Sequence, residues 1–179
     1  MTEEWIVSAL VKSTSGKHGI GLGTQNCLWA DAKVFASNSE AGGNAIMFSM
    51  TQYALKLLVG KTFTSPVELN DWLWPQVWEY GKKVSANPDL RATYALNALV
   101  AVDNAVWVLF ARENGLTSFD EMNPECLSPG ARRASREVRV DSALLLQGAG
   151  RGDQGSGRLG LLLHEDQDRP ARHSGRDAC

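Results

Sequence analysis

The residues able to do chemistry are scattered, and their spacing defines no reaction centre. The cysteines, Cys27, Cys126 and Cys179, are odd in number and form no CxxC pair. They support neither a disulfide framework nor a zinc site. His164-Glu165-Asp166 offers metal-capable side chains, Arg132-Arg133-Ala134-Ser135 spells a basic kinase site, and Arg151-Gly152-Asp153 spells an adhesion tripeptide. All three fall in an Arg/Gly/Ser-rich stretch that yields such strings by chance. Gly19-Ile20-Gly21-Leu22-Gly23 is no dinucleotide fingerprint, because it opens no helix directly and lacks the GxGxxG spacing. Asp103 lies close to the apolar stripe of a helix. It is expected to be a half-buried carboxylate satisfied by a neighbouring hydroxyl or backbone N–H, not a catalytic group. No nucleophile–base constellation supports a complete small enzyme.

The elements that must position any site sit in the first two thirds of the chain. With 179 residues there is room for one ordinary domain, but not for that domain and a (β/α)8 barrel of about 250 residues. A net charge of −2 gives no broad electrostatic case for nucleic acid. No apolar run approaches the ~20 residues of a membrane span, and the N-terminus lacks the basic region and cleavage site of a signal peptide. A soluble, cytoplasmic protein is expected. Residues 1–125 hold every aromatic and every lysine, whereas 126–179 hold nine of the arginines and eight of the 17 glycines. A packed core needs large apolar groups, so a boundary is expected near Glu125, with a largely disordered tail beyond it.

Trp5 to Val11 is β-branched and apolar and reads as a strand. Ser13 to Lys17 is turn chemistry, with Gly16 free to take positive φ. His18 to Gly23 returns as a second strand. Its alternate glycines leave one face bare, which permits close approach of another backbone. Thr24 to Asp31 reads as an irregular loop. Asn44 to Val59 is a helix by its apolar stripe, stopped by Gly60. Pro66 opens a second helix, in which Pro75 predicts a kink or break. Ala92 to Asn114 carries the clearest helical periodicity and ends at Gly115. The fold class is therefore α+β: an antiparallel hairpin followed by a bundle of about three helices.

Three segments carry a resemblance. VKSTSGKHGIGLG resembles a hairpin of the form "v.T.dG..G.Ge". LKLLVGKTFTSPVELNDWLW resembles "l.p.liG.d....e.l...l", and ALNALVAVDNAVWVLFARENG resembles "a...AlD.AlwDl.ak..g". Their order and spacing resemble the N-terminal capping domain of the enolase superfamily, of the mandelate racemase/muconate-lactonizing type, over roughly residues 5–122. Two departures stand out. The family domain starts with one more strand, so the hairpin here is the remnant of a three-stranded meander. Val108 stands where many members have Asp.

The resemblance implies a domain that shapes a substrate pocket while a barrel supplies the Mg2+ ligands and the lysine base. It implies that Thr24, Gln25, Asn26, Cys27, Leu28 and Trp29, in the loop after the hairpin, border a small carboxylate substrate such as an acid sugar. It also implies a homo-oligomeric parent enzyme, a dehydratase or racemase that removes the proton α to the carboxylate.

The tail does not read as the start of a barrel. Shifted by one base, codons compatible with His164 to Asp168 permit the run MKIKI, a Lys-x-Lys strand of the kind on which the family keeps its base. Residues 126–179 are thus expected to be out-of-frame translation, the alternative being a genuine Arg/Gly-rich disordered tail. Glu165 and Gln167 then occupy the lysine positions, and the chain is expected to be an inactive fragment with no metal site of its own. The rival expectation is a stand-alone binding or interaction module.

Overall fold

A computed structural model describes residues 4–118, 120–122, 137–150 and 159–160. The chain runs β1 (Glu4–Ser13), β2 (His18–Gln25), the single-turn helix α1 (Cys27–Ala30), α2 (Ala32–Leu58), β3 (Thr62–Phe63), α3 (Pro66–Val84), α4 (Ala92–Asn114), a 3-10 turn (Asp120–Met122), β4 (Val138–Gly150) and β5 (Leu159–Gly160). The class is α+β. The antiparallel sheet has the order β2-β1-β4-β3, with β5 on β4. Among the described residues the sheet stays open and no barrel closes.

β1 and β2 form the expected hairpin, with Gly16 at φ 90 in its turn. Alternation directs Val7, Ala9 and Val11 inward, all fully buried. Opposite them in register stand Gly23, Gly21 and Gly19. Their missing side chains let α4 lie against the β2 backbone. A Cβ on Gly19 would sit 2.0 Å from the Ala105 carbonyl oxygen, and one on Gly21 would sit 2.1 Å from that of Ala101. The close approach read from the glycine spacing is therefore made by α4.

The same helix covers the outer edge of β2. Asn97 Nδ2 donates to the Thr24 carbonyl (2.9 Å), Asn104 Nδ2 to that of Leu22 (2.8 Å) and Arg112 to that of His18 (2.6 Å). An edge strand whose carbonyls are engaged in this way is a poor template for strand addition. α4 is long and apolar enough to cross a membrane by length and composition alone. In the structure it is the central core helix: Tyr94, Ala95, Ala98, Leu99, Ala105 and Leu109 are buried. It ends where expected, at Gly115 with φ 67, a left-handed cap that suits glycine.

Outside the segment that follows the hairpin, three elements differ from the sequence reading. α2 starts twelve residues before Asn44, at Ala32. Its first segment breaks at Ser39, whose φ of 62 and ψ of 172 lie in a region glycine normally occupies, and the Ser39 hydroxyl then caps the second segment at the Gly42 amide (3.3 Å). α3 runs unbroken through Pro75. The carbonyl that proline leaves without a donor belongs to Asp71, which is exposed to water, and the Gln76 side chain donates to the neighbouring Trp72 carbonyl (2.8 Å). The largest difference is β4. It pairs along the whole of β1, on the edge where a meander would place its first strand. It buries Val138, Val140 and Leu145, so the sheet draws residues from both sides of Glu125. The remainder of 126–179, apart from Glu137 and β5, lies outside the described residues.

The hairpin turn is tied to the end of α4. The Ser13 and Ser15 hydroxyls donate to Glu113 Oε1, and the Lys17 ammonium lies 3.6 Å from Oε2. Burial pushes the Glu113 carboxyl up. The two hydroxyls and Lys17 outweigh it and hold the group below its ordinary value of 4.5. A carboxylate depressed in the folded state stabilises above its unfolded value, and that contribution is lost as pH falls. Glu113→Gln is therefore expected to cost about 1 kcal/mol at neutral pH. The difference from wild type should shrink as pH falls below 4.5, measured by urea denaturation at stepped pH. A gap that stays constant down to acid pH contradicts this.

Candidate functional site

The six residues after the hairpin do not form a loose loop. Thr24 and Gln25 finish β2, and Asn26 caps the single turn Cys27–Ala30. Strand alternation sends Thr24 outward and Gln25 inward. Gln25 Nε2 donates to Thr51 Oγ1 (2.7 Å), and that hydroxyl donates to the Ala98 carbonyl (2.7 Å). The chain joins β2, α2 and α4 through buried polar groups. Asn26 Oδ1 accepts from the Trp29 amide (3.4 Å), while its own amide donates to Asn97 Oδ1 (3.2 Å). Gln25 Oε1 and Asn26 Nδ2 are buried without a hydrogen-bond partner among the described residues.

Cys27 is fully buried. Its amide donates to Asn44 Oδ1 (2.8 Å), and its sulfur fills the space a side chain at Gly43 would need, 2.1 Å from that Cβ position. Burial pushes the thiol up to about 11, and the Asp31 and Glu40 carboxylates act in the same direction. At neutral pH it is a protonated, enclosed thiol and not a nucleophile.

Only Thr24, Leu28 and Trp29 remain able to meet a ligand. Trp29 is 78 % exposed. The Thr93 hydroxyl bonds to the Ala30 carbonyl (3.0 Å), and this contact sets α1 against the start of α4, where Leu96 and Val100 are also exposed. The result is an apolar, aromatic ledge with a hydroxyl beside it. It can cover or stack on a bound molecule, but it carries no acid, base or nucleophile. The structure thus splits the six residues of the sequence reading: three are scaffold, and three form the ledge. Asn97 was missed. It bonds both to Thr24 and to Asn26, and the row Asn97, Asn104, Arg112 along α4 was the available signal.

Asp103 is half-buried in a crevice lined by Leu69, Leu73, Leu99 and Val106. Burial pushes its carboxyl up, and the neighbouring Trp107 side chain offsets part of that.

The Mg2+ that the resemblance implies does not fit these residues. Among the described residues no three His, Cys, Asp or Glu converge. Asp31, two residues after Trp29, already accepts from the Lys33 (2.9 Å), Val34 (3.2 Å) and Arg91 (2.9 Å) amides. Cys126, Cys179, Arg132 to Ser135, Arg151 to Asp153 and His164 to Asp168 lie outside the described residues. No family model matches the chain, and no curated protein or solved structure matches it.

Proposed function

We propose that residues 1–125 are the capping domain of a Mg2+-dependent enolase-superfamily enzyme. It would act on a small carboxylate such as an acid sugar, as a dehydratase or racemase. The observation that carries the reading is the order of hairpin, short connection and three helices, with the last helix seated on a glycine-lined strand. Thr24, Leu28 and Trp29 would then form the wall that excludes water from the substrate. Deprotonation α to a carboxylate needs a positioned base and stabilisation of the enediolate. Neither is carried by the ledge, so this chain alone is expected to be inactive.

The coding DNA tests this reading. One-base realignment after about residue 125 is expected to recover the Lys-x-Lys strand and open a long downstream frame with acidic metal ligands. Codons for His164 to Asp168 that cannot be re-read as MKIKI defeat it.

One observation favours the second reading, a stand-alone interaction module. β4 pairs in register with β1 from Glu4 to Lys12 and buries three apolar side chains. A strand that completes the core is what a self-contained domain requires.

A further inference from the structure

Among the described residues, the helices cover one face of the sheet and leave the other open. The outward face is apolar at its centre. Ile6 (47 %), Ile20 (51 %) and Leu22 (62 %) are exposed, and Leu10, Leu144 and Leu146 are half-buried. Register places them side by side: Leu10 stands between Ile20 and Leu144, and Ser8 between Leu22 and Leu146. Polar outward positions are the rule for a water-facing antiparallel sheet, so a contiguous apolar centre marks an interface.

The charges at the two ends say what covers it. The outward row of β1 reads Glu4, Ile6, Ser8, Leu10, Lys12, with both charged ends exposed. Lys12 is joined at its end by the exposed Arg139 of β4, with Asp141 close by. The row is acidic at one end, basic at the other, and apolar about Ser8. A second copy turned about a two-fold axis in the plane of the interface, at the level of Ser8, runs its β1 antiparallel to the first. Glu4 then faces Lys12 of the second copy at both ends, and Ile6 faces Leu10. Such an interface is self-complementary and closed.

We infer that the outward face of the sheet is a homodimer interface, two sheets stacked face to face about 10 Å apart. The three strands give a patch of about 30 Å by about 14 Å. That is smaller than the ~800 Å2 per partner of a standard interface, so a weak, reversible dimer in the micromolar range is expected. This inference does not rest on the capping-domain reading.

Sedimentation of the full chain over a micromolar concentration series tests it. A monomer–dimer equilibrium is expected. Leu22→Glu should leave monomer only, at unchanged far-UV circular dichroism. Glu4→Lys and Lys12→Glu should each weaken the dimer roughly tenfold, and the double reversal should return it to within about threefold of wild type. A chain that stays monomeric overturns the proposal. So does open-ended aggregation, a dimer indifferent to Leu22→Glu, or a double reversal that restores nothing. A monomer whose Leu22 face instead binds a frame-restored barrel overturns it in favour of that occupant.

Discussion

Gly21→Ala is expected to cost the fold about 3 kcal/mol and to lower Tm by roughly 10 °C. The new methyl would meet the Ala101 carbonyl oxygen at 2.1 Å and the Ala105 nitrogen at 2.3 Å. Both are backbone atoms of α4, so no side chain can rotate away. The helix must lift off β2, and with it the buried contacts of Ala98, Ala105 and Leu109. The gain from a stiffer unfolded chain, about 0.4–1 kcal/mol, does not offset this. Gly16→Ala separates space from backbone strain. Nothing lies within 4 Å of its Cβ position, but φ is 90, so the cost there is about 1 kcal/mol. Differential scanning calorimetry of the two variants checks the order. Equal, small shifts contradict the seating of α4 on the glycine face.

Asp31→Ala is expected to be comparably damaging, at about 3 kcal/mol, because one carboxylate serves three backbone donors. Oδ1 caps α2 at Lys33 and Val34, and Oδ2 holds the Arg91 amide at the start of α4. The residue is 1 % exposed, so water cannot readily replace it. Asp31→Asn keeps one acceptor oxygen and should lose about half as much. Urea denaturation gives the totals. Hydrogen exchange gives the locations: the Lys33, Val34 and Arg91 amides should exchange faster in Asp31→Ala. Unchanged protection at Arg91 contradicts the bridge between the two helices.

These two sites show what the sequence makes legible. Gly19, Gly21 and Gly23, spaced by two with Ile20 and Leu22 between them, announce a bare strand face. The periodicity of Ala92 to Asn114 supplies the helix that needs one. Gly16 and Gly115 take the positive φ their positions imply. Asp31 is less legible, because the apolar stripe of α2 becomes clear only from Asn44. Gly42 and Gly43 weaken the helical pattern there, and Ser39 breaks it. Pro75 misleads in the opposite direction: its local cost falls on an exposed carbonyl, which tertiary contacts override. β4 was hidden by composition. Its surroundings are rich in Arg and Gly, it has no aromatic residue, and Leu144 to Leu146 is apolar on both faces and so lacks the two-residue alternation of a half-buried strand.

The candidate site was legible in place but not in composition. Extending the alternation of β2 by two residues sends Gln25 to the core and leaves Thr24 outside. The burial of Cys27 follows from a contact seventeen residues away in sequence, with Asn44, and from the gap at Gly43. Such contacts carry no local signal. The exposure of Trp29, a residue type that normally buries much of its area, is what keeps the ledge a candidate.

Solvent deuterium exchange at the α-carbon of an acid sugar, followed by NMR with Mg2+ supplied, tests the central claim most directly. The pure 179-residue chain should exchange nothing above the buffer rate, while the protein encoded after one-base realignment should exchange and turn over the same substrate. Exchange catalysed by the 179 residues alone, or none by the realigned protein on any acid sugar, contradicts the capping-domain account.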